Sequence, residues 1–159
     1  MAETIKTLLE DIQLDAKTTS QIGKFGEETA ASILLKNGYE LVAANFKTPI
    51  GRNRRGVAVT GEIDFIALDR DTICFVEVKT RSKEDFASPL AAVDIRKQRQ
   101  ITRTARIYRK TFGLADMKYR YDVVSIVLNE TKAPKVEIFK NFWDEQKFKK
   151  KIWIDDFQR

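Results

Sequence analysis

Two acidic residues on neighbouring predicted strands, Asp64 and Glu77, have the residue type and spacing for metal chemistry. The stretch 62–79 alternates in polarity with a period of two, which predicts an antiparallel strand pair joined by a tight turn. In the register that such a turn sets, Asp64 faces Glu77 and Glu62 faces Lys79. Opposed side chains have Cβ atoms about 4.5–5.5 Å apart, so the two acids repel each other unless a cation neutralises them.

A divalent cation, Mg²⁺ or Mn²⁺, would neutralise this pair. Two carboxylates and a backbone carbonyl, with water and phosphate oxygens in the remaining positions, make an ordinary Mg²⁺ site. Lys79 lies on the same predicted face, where it would stabilise charge on a phosphoryl group or orient a water molecule. The alternative is a solvated salt-bridge cluster in which Lys79 pairs with Glu62 and Asp64. Spacing alone does not choose between the two.

The opposite face of the same strand pair is predicted to belong to the core because its residues are apolar. They are Ile63, Phe65, Ala67, Cys74, Val76 and Val78. Apolar flanks of this kind indicate central strands, and a central strand rarely carries a charged cluster without a use for it. This favours the metal site. Cys74 is predicted to be a buried small hydrophobe without a catalytic role.

The composition limits the classes of protein to consider. The chain has 159 residues, enough for one compact domain, and its 29 Lys and Arg against 23 Asp and Glu give a net charge of +6, which favours nucleic acid as a partner. It has no His, which excludes imidazole-based catalysis, and a single Cys, which excludes an internal disulfide. No apolar run reaches the roughly 20 residues of a membrane helix, and residues 1–17 do not form a signal peptide. We therefore expect a cytoplasmic protein without a membrane partner.

The elements that must position the acidic pair follow from periodicity, caps and turn residues. Their order, helix, three strands, helix and two strands, predicts an α/β layer domain over residues 18–140. Residues 1–17 are expected to add an N-terminal helical extension, and the aromatic and basic tail 141–159 is expected to dock on the domain. The predicted elements are helices at 3–14, 19–37 and from Ser88-Pro89 to about Phe112, and strands at 39–46, 62–69, 72–79, 120–128 and 135–140.

Residues 47–61 are expected to form a long, basic and mobile loop, because three glycines lie among its cations. Arg52, Arg54 and Arg55 in this segment are typical of a flexible nucleic-acid contact that becomes ordered on binding. An ordinary surface loop is an equally good interpretation.

The predicted helix before residue 112 carries a basic stripe. Residues 95–120 contain nine Lys or Arg and one Asp, a local charge of +8. Helical spacing brings part of this set to one face of the helix. Contact with a phosphate backbone would relieve the repulsion between these like charges. The alternative is a solvated charged face, as most such stripes are. Lys97 instead falls on the sheet-facing side, where it would reach a carboxylate or a phosphate. The stripe consists of Arg96, Arg99, Arg103, Arg106 and Lys110.

The helix at 19–37 carries a further acid. Glu27 shares a helix side with Gly23, Ala30 and Leu34, so we expect it to point inward and to need a partner. The alternative is an exposed glutamate beside Glu28.

Seven groups of residues resemble, in order, the YraN-like bacterial proteins, which look like a branch of the PD-(D/E)XK nuclease superfamily near the archaeal Holliday-junction resolvases. The resemblance covers roughly residues 20–128. The chain departs from the family's pattern in the long segment 47–61. It also has Ile63 at the position before the aspartate, where the superfamily name has proline. The groups are Gly26-Glu27-Glu28, Gly38-Tyr39, Asn45, Gly61-Glu62-Ile63-Asp64, Phe75-Val76-Glu77-Val78-Lys79-Thr80-Arg81, Lys97 and Arg120-Tyr121-Asp122-Val123-Val124.

This resemblance implies a restriction-endonuclease-like core, a mixed sheet of about five strands flanked by helices. It implies that Asp64, Glu77 and the Val78 carbonyl bind the metal, that Lys79 is the catalytic lysine, and that Glu27 completes the site. The expected function is a Mg²⁺- or Mn²⁺-dependent nuclease acting on DNA, with Arg81 and Lys97 among its nucleic-acid contacts. A homodimer would suit branched substrates, because two cuts need two sites. The alternatives are a nucleic-acid-binding protein that does not cut and a protein-interaction domain with a vestigial site.

Overall fold

The computed structural model describes residues 18–82, 91, 93–129 and 132–149. The predicted helix at 3–14, the helix start at Ser88-Pro89 and the tail beyond residue 149 lie outside these residues. The described elements are α1 (Thr19–Lys36), β1 (Glu40–Arg52), β2 (Ala58–Asp69), β3 (Thr72–Ser82), α2 (Ile95–Thr111), β4 (Lys118–Leu128), β5 (Lys135–Trp143) and a 3₁₀ helix (Glu145–Phe148).

The five strands form one mixed sheet in the order β1-β2-β3-β4-β5. Strands β3 and β4 run parallel, and each of the other three neighbouring pairs is antiparallel. Parallel neighbours need a crossover connection, and α2 lies between β3 and β4 in the chain. The predicted fold class, an α/β domain with a mixed sheet of about five strands flanked by helices, is confirmed and is consistent with a restriction-endonuclease-like core.

Two apolar cores lie against the sheet, one with each long helix. Ile101 and Tyr108 of α2 belong to a cluster with Phe75 of the central strand β3. Leu34 of α1 belongs to a second cluster that contains Phe65 and Cys74. Burial raises the pKa of the Cys74 thiol to about 12, which agrees with its prediction as a buried small hydrophobe.

Helix α1 is fixed at both ends and in its middle. Thr18 forms a capping box with Gln21 at the first turn. At the other end Gly38 has a φ of +83°, the left-handed conformation that the sequence predicts. A Cβ added at Gly26 would lie 1.8 Å from Thr80 Oγ1, so only glycine permits this close approach of α1 to β3. This packing determines where the neighbouring Glu27 lies.

The segment 47–61, predicted as a mobile loop, is mostly strand. Strand β1 continues to Arg52 and β2 begins at Ala58, so a five-residue turn closes a long hairpin. Asn53 Oδ1 accepts hydrogen bonds from the backbone of Arg55 at 2.9 Å and of Val57 at 3.0 Å, which organises the turn. Pro49 is tolerated because β1 is an edge strand. We call residues 47–61 the hairpin arm.

Helix α2 begins later than predicted. Asp94 is its N-cap, with Oδ1 accepting from the Lys97 N–H at 2.8 Å, so the helix starts at Ile95 rather than at residues 88–89. Ser88-Pro89 has the residue types of a helix start, but the N-cap of α2 is Asp94.

The aromatic residues after position 140 pack on the domain. Trp143 stacks on Tyr121 with ring centroids 4.7 Å apart, and its Nε1 donates to Thr102 Oγ1 at 3.0 Å. Phe142 and Phe148 pack against the same core, whereas Ile152 and Trp153 lie outside the described residues. Among the described helices, none combines the length and the apolar character needed to cross a bilayer.

Candidate metal centre

Strands β2 and β3 separate at the predicted acidic pair. Their ladder runs from Asp69↔Thr72 to Phe65↔Val76, which confirms the predicted register, and then stops. Beyond that point the Val78 N–H donates to the Asp64 carboxylate, Oδ2, at 2.7 Å. A side-chain oxygen therefore bonds the β3 backbone just where the β2 ladder ends, and Asp64 lies in the fork between the strands.

The fork coincides with an interruption of the regular alternation in β2. Ile63 belongs to the α2-side core and Phe65 to the α1-side core, so the prediction that both lie on one face is wrong. Asn45 falls opposite Asp64 in the β1–β2 register and has a φ of +52°. A left-handed residue bends β1 at this point, and residues on both strands depart from the period of two there.

Glu62 does not take the place predicted for it. It pairs with Lys47 across β1, with Nζ 3.4 Å from Oε1, and Lys79 pairs with Glu77 instead. The predicted opposition of Glu62 and Lys79 fails because the β2–β3 ladder ends before it reaches them. The salt-bridge cluster considered as the alternative, Lys79 with Glu62 and Asp64, is likewise not formed.

Glu77 is the most deeply buried acid of the fork, with a side chain that is 3% exposed. Its Oε1 lies 3.1 Å from Lys79 Nζ and 3.4 Å from Lys97 Nζ. Its Oε2 is also buried and has no hydrogen-bond partner. Leaving a buried acceptor unsatisfied costs about 1–3 kcal/mol, and more when the group is charged. When Asp64 is ionised and donates no proton, the arrangement therefore leaves one carboxylate oxygen of Glu77 in need of a ligand.

The electrostatics of Asp64 point the same way. Burial raises the pKa of Asp64 to about 7, and the charge of Glu77, together with a hydrogen bond from the protonated Asp64 carboxyl to Glu77, adds to this rise. The Val78 N–H and Lys97 act in the opposite direction without cancelling it. Two neighbouring buried acids resist double ionisation near neutral pH, and a bound cation would remove that resistance.

These residues fit a hard divalent cation. The unsatisfied Glu77 oxygen and the adjoining Asp64 carboxylate are the oxygen donors that Mg²⁺ and Mn²⁺ prefer. Among the residues that the structure describes, no group of three or more His, Cys, Asp or Glu is placed to hold an ion. The protein would thus supply two carboxylates and leave positions for a backbone carbonyl and water, as Mg²⁺ sites commonly do. The Val78 carbonyl as a ligand remains a prediction.

Among the described residues, Glu27 does not form a three-acid group with Asp64 and Glu77. It is half-buried, and its Oε2 accepts a hydrogen bond from Asn45 Nδ2 at 3.5 Å. Because Asn45 falls opposite Asp64, Glu27 is connected to the fork through that residue. Its predicted role as a further ligand, directly or through water, remains a prediction.

Lys97 reaches the acidic pair, as its helix side predicts, and the residues of the basic stripe differ from one another. Arg96 and Arg99 are exposed, and the Arg99 guanidinium lies 5.5 Å from the Phe148 ring centroid. Arg103 donates to the Ile50 carbonyl. One residue of the stripe, Arg106, has an acidic partner from outside the helix, because its Nε lies 3.5 Å from Oε1 of Glu145 in the 3₁₀ helix.

The remaining predicted nucleic-acid contacts lie on the hairpin arm and on β3. Arg52 donates to the Gly56 carbonyl at 2.6 Å, which ties it into the turn. Arg54 and Arg55 are exposed at the tip of the arm. Arg81 is half-buried near the end of β3. The arm and α2 therefore present cations on the two elements that flank the fork.

The fold and site define an α/β protein with a buried acid and lysine centre at a strand fork. Comparison of its sequence with known families gives a match to the model of the uncharacterised protein family UPF0102 over residues 26–126, and the chain belongs to this family. This supports the predicted YraN-like resemblance.

Individual relatives agree with that assignment. A UPF0102 protein of Desulfosudis oleivorans is 40% identical over 124 residues, which cover 78% of this chain and 90% of the relative. One of Acetivibrio thermocellus is 42% identical over 116 residues, covering 73% and 82% of the two chains. One of Prosthecochloris aestuarii is 43% identical over 106 residues, covering 67% and 76%. The matched region contains the whole fork.

Proposed function

We propose that the chain is a Mg²⁺- or Mn²⁺-dependent nuclease of the PD-(D/E)XK superfamily that hydrolyses phosphodiester bonds of DNA. The observation that carries this proposal is the buried, unsatisfied Oε2 of Glu77 beside an Asp64 whose pKa is raised to about 7. A purely structural cluster at this depth would be expected to satisfy its oxygens internally.

Each residue of the fork has a role in this proposal. A bound divalent ion would supply Lewis-acid stabilisation of the phosphoryl group and a water of lowered pKa. Asp64, Glu77 and the Val78 carbonyl would hold it. Lys79, whose side chain is 33% exposed, lies at the rim of the fork 3.1 Å from Glu77. Its ammonium would donate to a non-bridging phosphate oxygen or hold the attacking water in line.

The charge distribution supports a nucleic acid as the substrate. The chain carries a net charge of +6, and Arg54, Arg55, Arg96 and Arg99 are exposed on the arm and on α2. Such residues would position the phosphate backbone without reading bases, so affinity should fall steeply with salt. Two copies of the chain would suit a branched substrate.

A second candidate function is DNA binding without cleavage. The observation that favours it is the double pairing of Glu77 Oε1 with Lys79 and Lys97, which balances much of the acidic charge without a metal. In that case the charged residues of the fork would only stabilise the fold. The cations of the arm and α2 would bind DNA.

Cleavage assays distinguish the two candidates. We expect labelled single-stranded, duplex, flap and four-way DNA to give products in Mn²⁺ but not in EDTA, and the products to disappear with Glu77→Gln and with Lys79→Ala. Glu137→Gln, which changes a partly exposed glutamate of β5 that pairs with Lys135, is the matched control and should retain activity. Products that persist in Lys79→Ala would indicate a contaminating nuclease. Tight binding without any metal-dependent product would support the non-cleaving alternative.

A further inference from the structure

A cleft of about 380 Å³ lies between the hairpin arm and the first turns of α2. Two apolar side chains of the arm, Ile50 and Val59, contribute to its lining. The others are mostly polar or basic residues at the start of α2. They are Asp94, Arg96, Lys97, Arg99, Gln100 and Arg103. Pockets of roughly 300–1,000 Å³ with apolar lining and a few polar groups are typical of small-ligand sites.

The cleft is a built feature, because the part of the arm nearest the sheet is attached to α2. Gln100 Nε2 donates to the Thr60 carbonyl at 3.1 Å, and Arg103 donates to the Ile50 carbonyl. A Cβ added at Gly61 would lie 2.0 Å from Thr104 Oγ1, so the arm and helix are in direct contact below the cleft. The separation of the two walls is therefore fixed.

The electrostatics of the cleft favour an anion. Four of its lining residues are cationic, against one acid. That acid, Asp94, is already engaged as the N-cap of α2. Neither Arg96 nor Arg99 forms an ion pair with the residues that the structure describes, so both guanidinium groups are available to a phosphate.

Lys97 connects the cleft to the metal centre. It lines the cleft, and its Nζ lies 3.4 Å from Glu77 Oε1. A polynucleotide whose scissile phosphate lay at the fork would therefore bring a neighbouring nucleotide to the cleft. Successive phosphates along a strand follow one another closely enough for both sites to be filled by one chain.

We propose that this cleft binds one unpaired nucleotide next to the scissile phosphate. Arg96 and Arg99 hold its phosphate, and Ile50 and Val59 contact its sugar or base. The base must be unpaired, because bases in a duplex are stacked inside the helix and do not present their faces to a protein. The substrate strand of the proposed nuclease would then be single-stranded next to the scissile phosphate. This conclusion about the substrate rests on the proposed function.

Binding in EDTA tests the cleft independently of cleavage. The full chain is titrated against a fluorescein-labelled twelve-nucleotide thymidine strand and a duplex of the same length, and anisotropy is measured at several salt concentrations. We expect Arg96→Ala combined with Arg99→Ala to weaken single-strand binding about tenfold. Loss of two phosphate contacts should also reduce the slope of log affinity against log salt by roughly 1.4.

The matched control removes two positive charges elsewhere. Lys24 and Lys36 are both exposed on α1, and neither lines the cleft nor belongs to the basic stripe. Lys24→Ala combined with Lys36→Ala should change single-strand affinity less than twofold. Equal losses in the two double variants would overturn the proposal, since they would indicate a general charge effect.

A steric variant tests the apolar side of the cleft. Val59→Phe should weaken single-strand binding at least fivefold and leave duplex binding unchanged, with an unaltered melting temperature as the check of folding. Equal loss for both DNAs, or no loss for either, would contradict an unpaired nucleotide in the cleft. Failure of these binding tests with intact Mn²⁺-dependent cleavage would reject the cleft alone. Success here without any cleavage would reject the proposed nuclease instead.

Discussion

Two buried charged clusters five residues apart along β2 satisfy their carboxylates in different ways. The first, which we call the anchoring network, consists of Tyr39, Asp69, Arg120, Asp122 and Lys140. The second is the candidate metal centre of Asp64, Glu77, Lys79 and Lys97. Apart from Asp69 and Lys140, the members of both clusters belong to the residue groups that carry the family resemblance, so the resemblance alone does not separate the two clusters.

The anchoring network is complete within the chain. Asp122, which is fully buried, accepts from Arg120 Nε at 2.9 and 3.0 Å, from the Tyr39 hydroxyl at 3.0 Å and from the Asn141 N–H at 2.9 Å. Asp69 accepts from Arg120 at 2.6 Å and from Lys140 at 2.8 Å, and these hydrogen bonds lower its pKa to about 2. Both carboxylate oxygens of Asp122 and Oδ2 of Asp69 therefore have protein donors.

The candidate metal centre is incomplete by comparison. When Asp64 is ionised, Glu77 has a buried oxygen without a donor, and the pKa of Asp64 is raised rather than lowered. A buried acid with its own donors is typical of a structural role, whereas a buried acid without them indicates a ligand from outside.

Breaking the anchoring network should have the largest effect on stability. Arg120→Ala removes the cation shared by Asp69 and Asp122 and leaves Asp122 buried and charged. Removing one partner of a buried ion pair costs about 3–5 kcal/mol, and we expect a loss of this size in urea unfolding. Glu77→Gln should cause little or no loss in the same measurement. A decrease in the free energy of unfolding below about 1 kcal/mol for Arg120→Ala would contradict a structural role for the anchoring network.

Neutralising Asp64 should increase stability, with a defined pH dependence. Its folded pKa of about 7 exceeds the ordinary value of 3.8, so between these values the folded state binds a proton that the unfolded state has lost. The metal-free wild type should therefore lose stability as pH rises through this window. Asp64→Asn should remove that slope and be more stable at pH 8 by roughly 2–4 kcal/mol.

Urea unfolding in EDTA at pH 3 to 8 measures this effect. The two proteins should have similar stability near pH 3, where the wild-type carboxyl is mostly protonated in both the folded and the unfolded state. An Asp64→Asn variant that retains the wild-type slope would show that another group causes it.

Removing one hydroxyl from the anchoring network should have an intermediate effect. The Tyr39 hydroxyl donates to Asp122 and accepts from Arg120 at 3.1 Å. Tyr39→Phe keeps the ring and leaves both partners one hydrogen bond short, so we expect a loss of about 1–3 kcal/mol in thermal or urea unfolding. An unchanged stability would mean that the network tolerates an incomplete set of donors, and the contrast with the metal centre would weaken.

An exposed ion pair should have the smallest effect. Lys118 lies 2.7 Å from Asp71, but both side chains are largely solvent-exposed. Solvent screens such pairs, so Lys118→Ala should leave the unfolding curve unchanged within error. A clear destabilisation would show that ion pairing as such, rather than burial, separates the charged clusters.

Local patterns predict most of the fold. The alternation in 62–79 and the intervening turn give the β2–β3 register, and Gly38 gives the end of α1. The hairpin arm could not be predicted, because glycines and Pro49 are typical of loops and only the position of β1 at the sheet edge makes them compatible with a strand.

The sequence predicts which residues come together at the candidate site but not how they are arranged. Strand spacing predicts that Asp64 and Glu77 are neighbours, and helix spacing predicts that Lys97 faces them. The interruption at Asp64 could not be predicted, because it depends on the left-handed Asn45 in another strand. The pairing of Arg106 with Glu145 joins residues that only the packing of the 3₁₀ helix brings together. Contacts between distant segments are not contained in local periodicity.

The most direct test of the metal centre is calorimetric titration of the full chain with Mn²⁺ at pH 8. We expect the wild type and the control Glu137→Gln to bind one ion, and Glu77→Gln to lose at least about a hundredfold in affinity, because the buried oxygen that needs a ligand is no longer anionic. Equal binding by the wild type and Glu77→Gln, or no binding by either, would contradict the account.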